Sequence, residues 1–248
     1  MIGLGTIVNV LAVVLGGVLG MLFKRGIKER FREIMVQACG LAVMFIGGAG
    51  ALEMMLTVEG SKVSAGATML LVFSLAIGGL AGEALNIEKK LDFVGDRLRS
   101  AVKAKGDNRF VDGFVTASLV TCVGAMAIVG PMNEALTGAH ETLFVKSILD
   151  FVILIVFGSV YGLGAVFSAV VIGVYQGGIT LFAKFISDYM TPSLIANMSG
   201  VGSVLIFAVG LNLIFPKKVR VGNLLPALLV PVLYELLLKI PYVSSILG

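Results

Sequence analysis

The sequence predicts an all-α, polytopic membrane bundle of about eight spanning helices, with seven as the alternative count and the N-terminus outside. Three observations predict it. First, hydrophobic residues make up 58% of the 248-residue chain and charged ones 14%, with a mean hydropathy of +1.03; a soluble domain carries about 45–50% and about 25%. Second, the apolar residues gather into runs near the roughly 20 residues that cross a bilayer as a helix. Third, Lys and Arg cluster between alternate runs, as cytoplasmic loops do.

The first run, 2–23, has no basic residue before it and is followed by Lys24, Arg25, Lys28, Arg30 and Arg32. That order is the reverse of a cleavable signal peptide and predicts an uncleaved span. The second run is 34–56 and the third 65–85, joined by a short loop with Glu59 and Lys62. In the charged stretch 86–109, Ile87, Leu91, Val94, Leu98 and Val102 recur at helical spacing. This predicts an amphipathic helix lying along the cytoplasmic interface. The fourth run is 110–130, with Pro131 as its expected stop.

A polar loop with the sole histidine, His140, precedes the fifth run, 146–161, and the sixth, 164–185. No charge separates these two at Gly158, Gly162 and Gly164, and reading 146–185 as one broken span gives the count of seven. The seventh run, 194–215, is followed by Lys217, Lys218 and Arg220, and the eighth, 224–240, contains Pro226 and Pro231. With eight spans the basic clusters after the first, third and seventh all fall inside; with seven, the last falls outside.

The whole chain, 1–248, reads as one transmembrane domain. Within 1–130, a Gly-rich motif closes the first and third runs (Gly16 to Gly20, Gly78 to Gly82), and a Cys-led motif recurs at Cys39 to Gly47 and Cys122 to Gly130. These predict a tandem helix-hairpin repeat, followed by the C-terminal spans of 146–240. Small residues four apart also suit close helix packing, including contact with a second copy of the chain. Cys39 and Cys122 each sit in an apolar run, so no disulfide framework is expected. A net charge of +4 is accounted for by the basic loops, leaving no nucleic-acid partner to expect.

Catalytic signatures are missing from the sequence. There is no HExxH, no phosphate-binding loop and no GxSxG, and one histidine makes no metal cluster, so no cofactor or metal is expected. The informative groups are polar residues inside the runs, because an ionised side chain at mid-bilayer costs about 2.5–3.5 kcal/mol and is kept where a cavity or partner meets it. Asp150 and Glu235 are the candidate acids. Each has a lysine four residues away, Lys146 and Lys239, the spacing that meets on one helix face. Asn9, Ser118, Thr121 and Asn212 are the expected lining of a path, and Pro226 and Pro231 the expected helix break, where backbone groups are freed.

Several stretches resemble one family across nearly the whole chain: Gly5-Thr6-Ile7-Val8-Asn9, the segment from Phe114 to Gly130, Lys146-Ser147-Ile148-Leu149-Asp150, Val209-Gly210-Leu211-Asn212-Leu213, and Arg220-Val221-Gly222-Asn223-Leu224-Leu225-Pro226. The sequence is similar to the bacterial domain-of-unknown-function-554 membrane family. Gly222, often Ala in the family, and Pro131 depart from its pattern. The resemblance implies the architecture and a transporter label without an agreed substrate, and it supplies no catalytic residue. The expected function is therefore a multi-pass transporter or channel in the bacterial inner membrane, for a small solute or ion and cation- or proton-coupled. A non-transporting scaffold or regulatory subunit is the alternative, and an intramembrane enzyme a third.

Overall fold

In the computed structural model, which describes residues 2–24, 29–59, 62–104, 109–215 and 219–238, nearly every element is helical. Helix α1 is Leu4–Lys24 and α2 is Glu29–Met55; a two-stranded hairpin, β1 Leu56–Glu59 with β2 Lys62–Ala65, then pairs Leu56 with Ala65. Helix α3, Thr68–Leu85, turns at Asn86 into α4, Ile87–Ala101. Helices α5, Phe110–Cys122, and α6, Ala125–Thr137, are followed by α7, Glu141–Tyr161, α8, Leu163–Ile186, and α9, Pro192–Ile214. The chain closes with α10, Val221–Leu224, a 3₁₀ turn over Leu225–Leu229, and α11, Val230–Leu238.

Among the described residues, six helices are long and apolar enough to cross a membrane: α1, α2, α3, α7, α8 and α9. The remaining two expected spans do not pass as single helices. Helices α5 and α6 pass the same test only together and are bent by 61° at their junction, while 221–237 is apolar but shorter. Among the described residues the helices thus support six spans, or seven with the bent pair as one, and where 224–240 ends lies outside them. The 146–161 and 164–185 runs are two helices, divided by a turn at Gly162 with φ of 69°.

Three boundaries differ from expectation for local reasons. Pro131 does not stop its helix; it lies inside α6, which runs on to Thr137. The break falls upstream instead, at Gly124, whose φ of 130° and ψ of 157° are open essentially to glycine alone. Helix α7 begins at Glu141, five residues before the expected start, so Lys146 and Asp150 sit inside it and not at its end. The loop between the second and third runs is a β-hairpin, whose backbone groups bond to each other.

Close approach of backbones holds the bundle together, and the glycines make it possible. Helices α1 and α7 lie side by side in the same direction. A Cβ on Gly16 or Gly20 would run into the carbonyls of Phe151 or Ile155, and one on Gly158 into that of Gly17. Helix α2 runs against α9, with Gly47 on Ser203 and Phe207 and Gly210 on Gly40 and Met44. Gly78 and Gly82 of α3 receive Ala227 and the Asn223 carbonyl of the broken C-terminal segment. The first and second helices thus take their main partners from the second half of the chain. Outward-facing side chains such as Phe45, Leu80 and Phe185 stay more than two-thirds exposed, as a lipid-facing surface requires.

This packing defines two ends. One carries the N-terminus of α1, the end of α6 and the start of α7; Gly5, Glu134 and Leu143 meet there. The other carries the α3–α4 turn and the start of α10, tied by Asn223, which accepts from the Glu88 N–H (2.8 Å) and donates to Glu83 (2.7 Å). Arg220 pairs with the same Glu83 carboxylate.

Candidate functional site

The site is built where α1, α5, α7 and α8 converge on the break between α5 and α6. Helix α7 supplies Lys146 and Asp150, 7% and 4% exposed, with Lys146 Nζ donating to Asp150 Oδ2 at 2.7 Å. Their spacing of one helical turn, expected from the sequence, makes this contact. Helix α1 supplies Asn9, wholly buried, whose amide donates to Gln176 Oε1 of α8 at 3.3 Å and also engages the Asp150 carboxylate. Helix α5 brings Ser118, Thr121 and Cys122, the last close enough to feel both Lys146 and Asp150.

The break contributes backbone. Helix α5 ends at Cys122 with its last carbonyls directed into the junction, and α6 begins at Ala125, whose N–H donates to Ser199 Oγ of α9 at 3.2 Å. A carbonyl end, carrying partial negative charge, and an N–H end, carrying partial positive charge, are thereby brought together at membrane depth. Thr121 turns its hydroxyl back to the Ala117 carbonyl at 2.6 Å. Asn9 Oδ1 and Gln176 Nε2 have no partner among the described residues, and neither does Ser118 Oγ on α5. Each such group costs roughly 1–3 kcal/mol unless something occupies it, so the orphaned atoms of Asn9 and Gln176 beside Asp150 mark a place suited to water, a proton or a small cation.

Not every expected residue joins this group. Asn212 clamps the connection after α9, donating to the Val219 carbonyl (2.6 Å) and accepting from its N–H (3.0 Å). It lines a cavity of about 140 Å³ with Glu88, Asp112, Leu119 and Tyr161. A neighbouring cavity of about 330 Å³ adds Glu33 and Arg109 and shares Asp112, Tyr161 and Leu213. This vestibule opens at the α3–α4 end and reaches Leu119, roughly one helical turn short of Cys122. Glu235 accepts from Thr191 Oγ1 at 2.9 Å, and Thr191 in turn caps α9 by accepting from the Leu194 N–H. Glu235 is thus engaged at the start of α9, and its expected partner Lys239 lies outside the described residues. Pro226 sits in the 3₁₀ turn and Pro231 at the second position of α11, so both fall in the broken segment as expected.

The sequence reading missed Glu134. Taking Pro131 as a stop placed this residue in a loop, whereas it is in α6 and fully buried. The apolar spacing Ile128, Met132, Ala135 continues through the proline and was the available signal.

The model of the family described as "Protein of unknown function (DUF554)" matches residues 4–236, from the first helix to the last. The chain belongs to this family. The family match spans every element of the site, including the α5–α6 break and the Lys146–Asp150 pair. Among relatives, "Uncharacterized membrane protein YdfK" of Bacillus subtilis (strain 168) is 35% identical over 227 residues, covering 92% of this chain and 93% of the relative. "Uncharacterized protein YqgA" of Escherichia coli (strain K12) is 31% identical over 230 residues, covering 91% and 93%. No solved structure matches the chain. These likenesses and the six long apolar helices make it a membrane protein of the DUF554 family.

Proposed function

We propose that the chain is a transporter or channel of the bacterial inner membrane that moves a small solute or ion, using Asp150 to bind a cation or proton. The observation that carries this reading is the buried Lys146–Asp150 pair set against the α5–α6 break, with atoms of the neighbouring Asn9 and Gln176 that have no partner among the described residues. A purely structural ion pair would gain nothing from neighbours left without partners. A carboxylate that exchanges its counter-charge needs them. Lysine offers the exchange: when a cation or proton arrives on Asp150, the ammonium is released towards the carbonyl end of α5.

The vestibule supports one side of the path, since its volume stops about a turn from the break. Orientation follows from charge. Lys89, Lys90, Arg97, Arg99 and Arg220 all belong to the α3–α4 end, which the positive-inside rule makes cytoplasmic and which puts the N-terminus outside. Helix α4 spends one face inside the bundle. Its Gly95 packs on Val111 and Phe114, and its Glu88 and Leu91 on Gly222, so that face is used within the chain.

The test is a flux screen on purified protein in proteoliposomes, with protons and monovalent cations as first cargoes. Wild type is expected to exceed empty vesicles and Asp150→Asn to abolish the excess. Flux from Asp150→Asn equal to wild type, or no flux from wild type across the screen, overturns the reading.

A further inference from the structure

A second buried acid lies near the N-terminal end of α1, outside the group around Asp150. Glu134 has no exposed surface. Its Oε1 accepts from the Gly5 N–H in the first turn of α1 (2.6 Å) and lies 2.7 Å from His140 Nδ1. Its Oε2 is equally buried and has no partner among the described residues. Holding the start of α1 would use one oxygen. The second is aimed into the protein with nothing to meet it, an arrangement that costs free energy and so points to an occupant.

The geometry points to Glu134 as a proton-binding carboxylate at the outer end of the bundle, loaded from the aqueous phase through His140. His140 is suited to the part. It is about a quarter exposed, while the carboxylate it touches is fully enclosed, so it is the contact between Glu134 and water. The transfer balances without a co-reactant: hydronium protonates Nε2 of the Nδ1-protonated ring and leaves water, and the imidazolium gives its Nδ1 proton to Glu134 Oε1, leaving a neutral Nε2–H imidazole and a carboxylic acid whose Oε2 no longer carries charge. A metal ion is a poorer occupant, because no group of three or more His, Cys, Asp or Glu side chains gathers among the described residues.

The surroundings leave His140 as the relay. Helix α7 adds the exposed Glu141 and, deeper, the Lys146–Asp150 pair; α8 adds the exposed Lys184, which lines a groove with Thr6 and Ala135. Helix α1 offers Gly5 and Thr6 and helix α9 offers Ser199, none of them ionisable. Thr6 Oγ1 is also buried and has no partner among the described residues, and Asn9 lies about 6 Å further along α1 than Gly5. Glu134, Thr6, Asn9 and Asp150 therefore form a line of polar groups running inward along α1 and α7. That line gives the proton a route to Asp150, and this loading role rests on the proposed transport function; proton binding by Glu134 does not.

The experiment uses the full chain in lipid nanodiscs, with infrared spectroscopy following the carbonyl stretch of protonated carboxyl groups during acid steps. A band is expected that Glu134→Gln removes and Asp150→Asn keeps, and His140→Gln should slow its appearance roughly tenfold or more. Glutamine keeps the oxygen that accepts from Gly5, so folding should survive. Should it not, Glu134→Asp decides, because it keeps a titrating carboxyl at this position and must shift the band. A band indifferent to both overturns the site. In proteoliposomes, flux lost in Asp150→Asn but unchanged in Glu134→Gln overturns the loading role while the transport reading stands. An assigned Glu134 band with no wild-type flux keeps the site and removes the transport reading.

Discussion

Removing one member of the Lys146–Asp150 pair should destabilise the fold far more than removing both. The two groups are almost fully enclosed and 2.7 Å apart, and the other close polar neighbours, Asn9 and Gln176, are neutral. Asp150→Leu leaves an ammonium without a counter-charge, and Lys146→Met leaves a carboxylate. Breaking a buried pair from one side costs about 3–5 kcal/mol, whereas replacing both partners with apolar groups is neutral or stabilising by about 1–4 kcal/mol. The double variant should therefore be at least as stable as wild type, and the single variants several kcal/mol below it. The assay is reversible unfolding in mixed micelles with the four members of a double-mutant cycle. Additive effects, with the double variant the least stable, would refute the claim that the pair is buried and mutually compensating. Flux separates structure from function: the stable double variant should carry none.

Other expectations follow from single contacts. Gly124→Ala should cost roughly 1–3 kcal/mol from backbone strain alone, since no atom lies near its missing Cβ; Gly177→Ala, also with open space but ordinary backbone, is the control and should be near neutral in the same unfolding assay. Gly16→Leu would force a side chain into the Phe151 carbonyl and separate α1 from α7, with loss of monodisperse protein on size-exclusion chromatography. Asn212→Leu removes both bonds to Val219, and faster hydrogen exchange is expected over 219–224, read by mass spectrometry. Glu235→Ala should cost about 1 kcal/mol through Thr191 and spare flux, because its hydrogen bond serves the start of α9.

The architecture was legible in the sequence because lipid imposes a length and a composition that no soluble helix needs together. The runs that became α1, α2, α3, α8 and α9 required nothing else. What stayed hidden depended on backbone dihedrals and on partners distant in the chain. Gly124 and Pro131 both look like helix breakers, and only the backbone at Gly124 decides that the bend is there and that Glu134 stays helical and buried. The Lys146–Asp150 pair was readable from spacing alone, but its depth was not, since that follows from where α7 starts. Asn9 and Gln176, 167 residues apart, meet only because α1 packs on α7 and α8. For Glu235 the apolar run was readable, whereas its hydrogen bond to Thr191 at the start of α9 is invisible without the fold.

The central physical claim is that the interior beside the α5–α6 break is a wet polar site and not a dry ion pair. The most direct measurement is a structure of the protein in lipid nanodiscs at a resolution that shows ordered water. Density bridging Asn9 Oδ1, Gln176 Nε2 and Asp150 is the expected result. A dry junction, with those polar atoms satisfied by one another and Lys146 locked on Asp150, would contradict it.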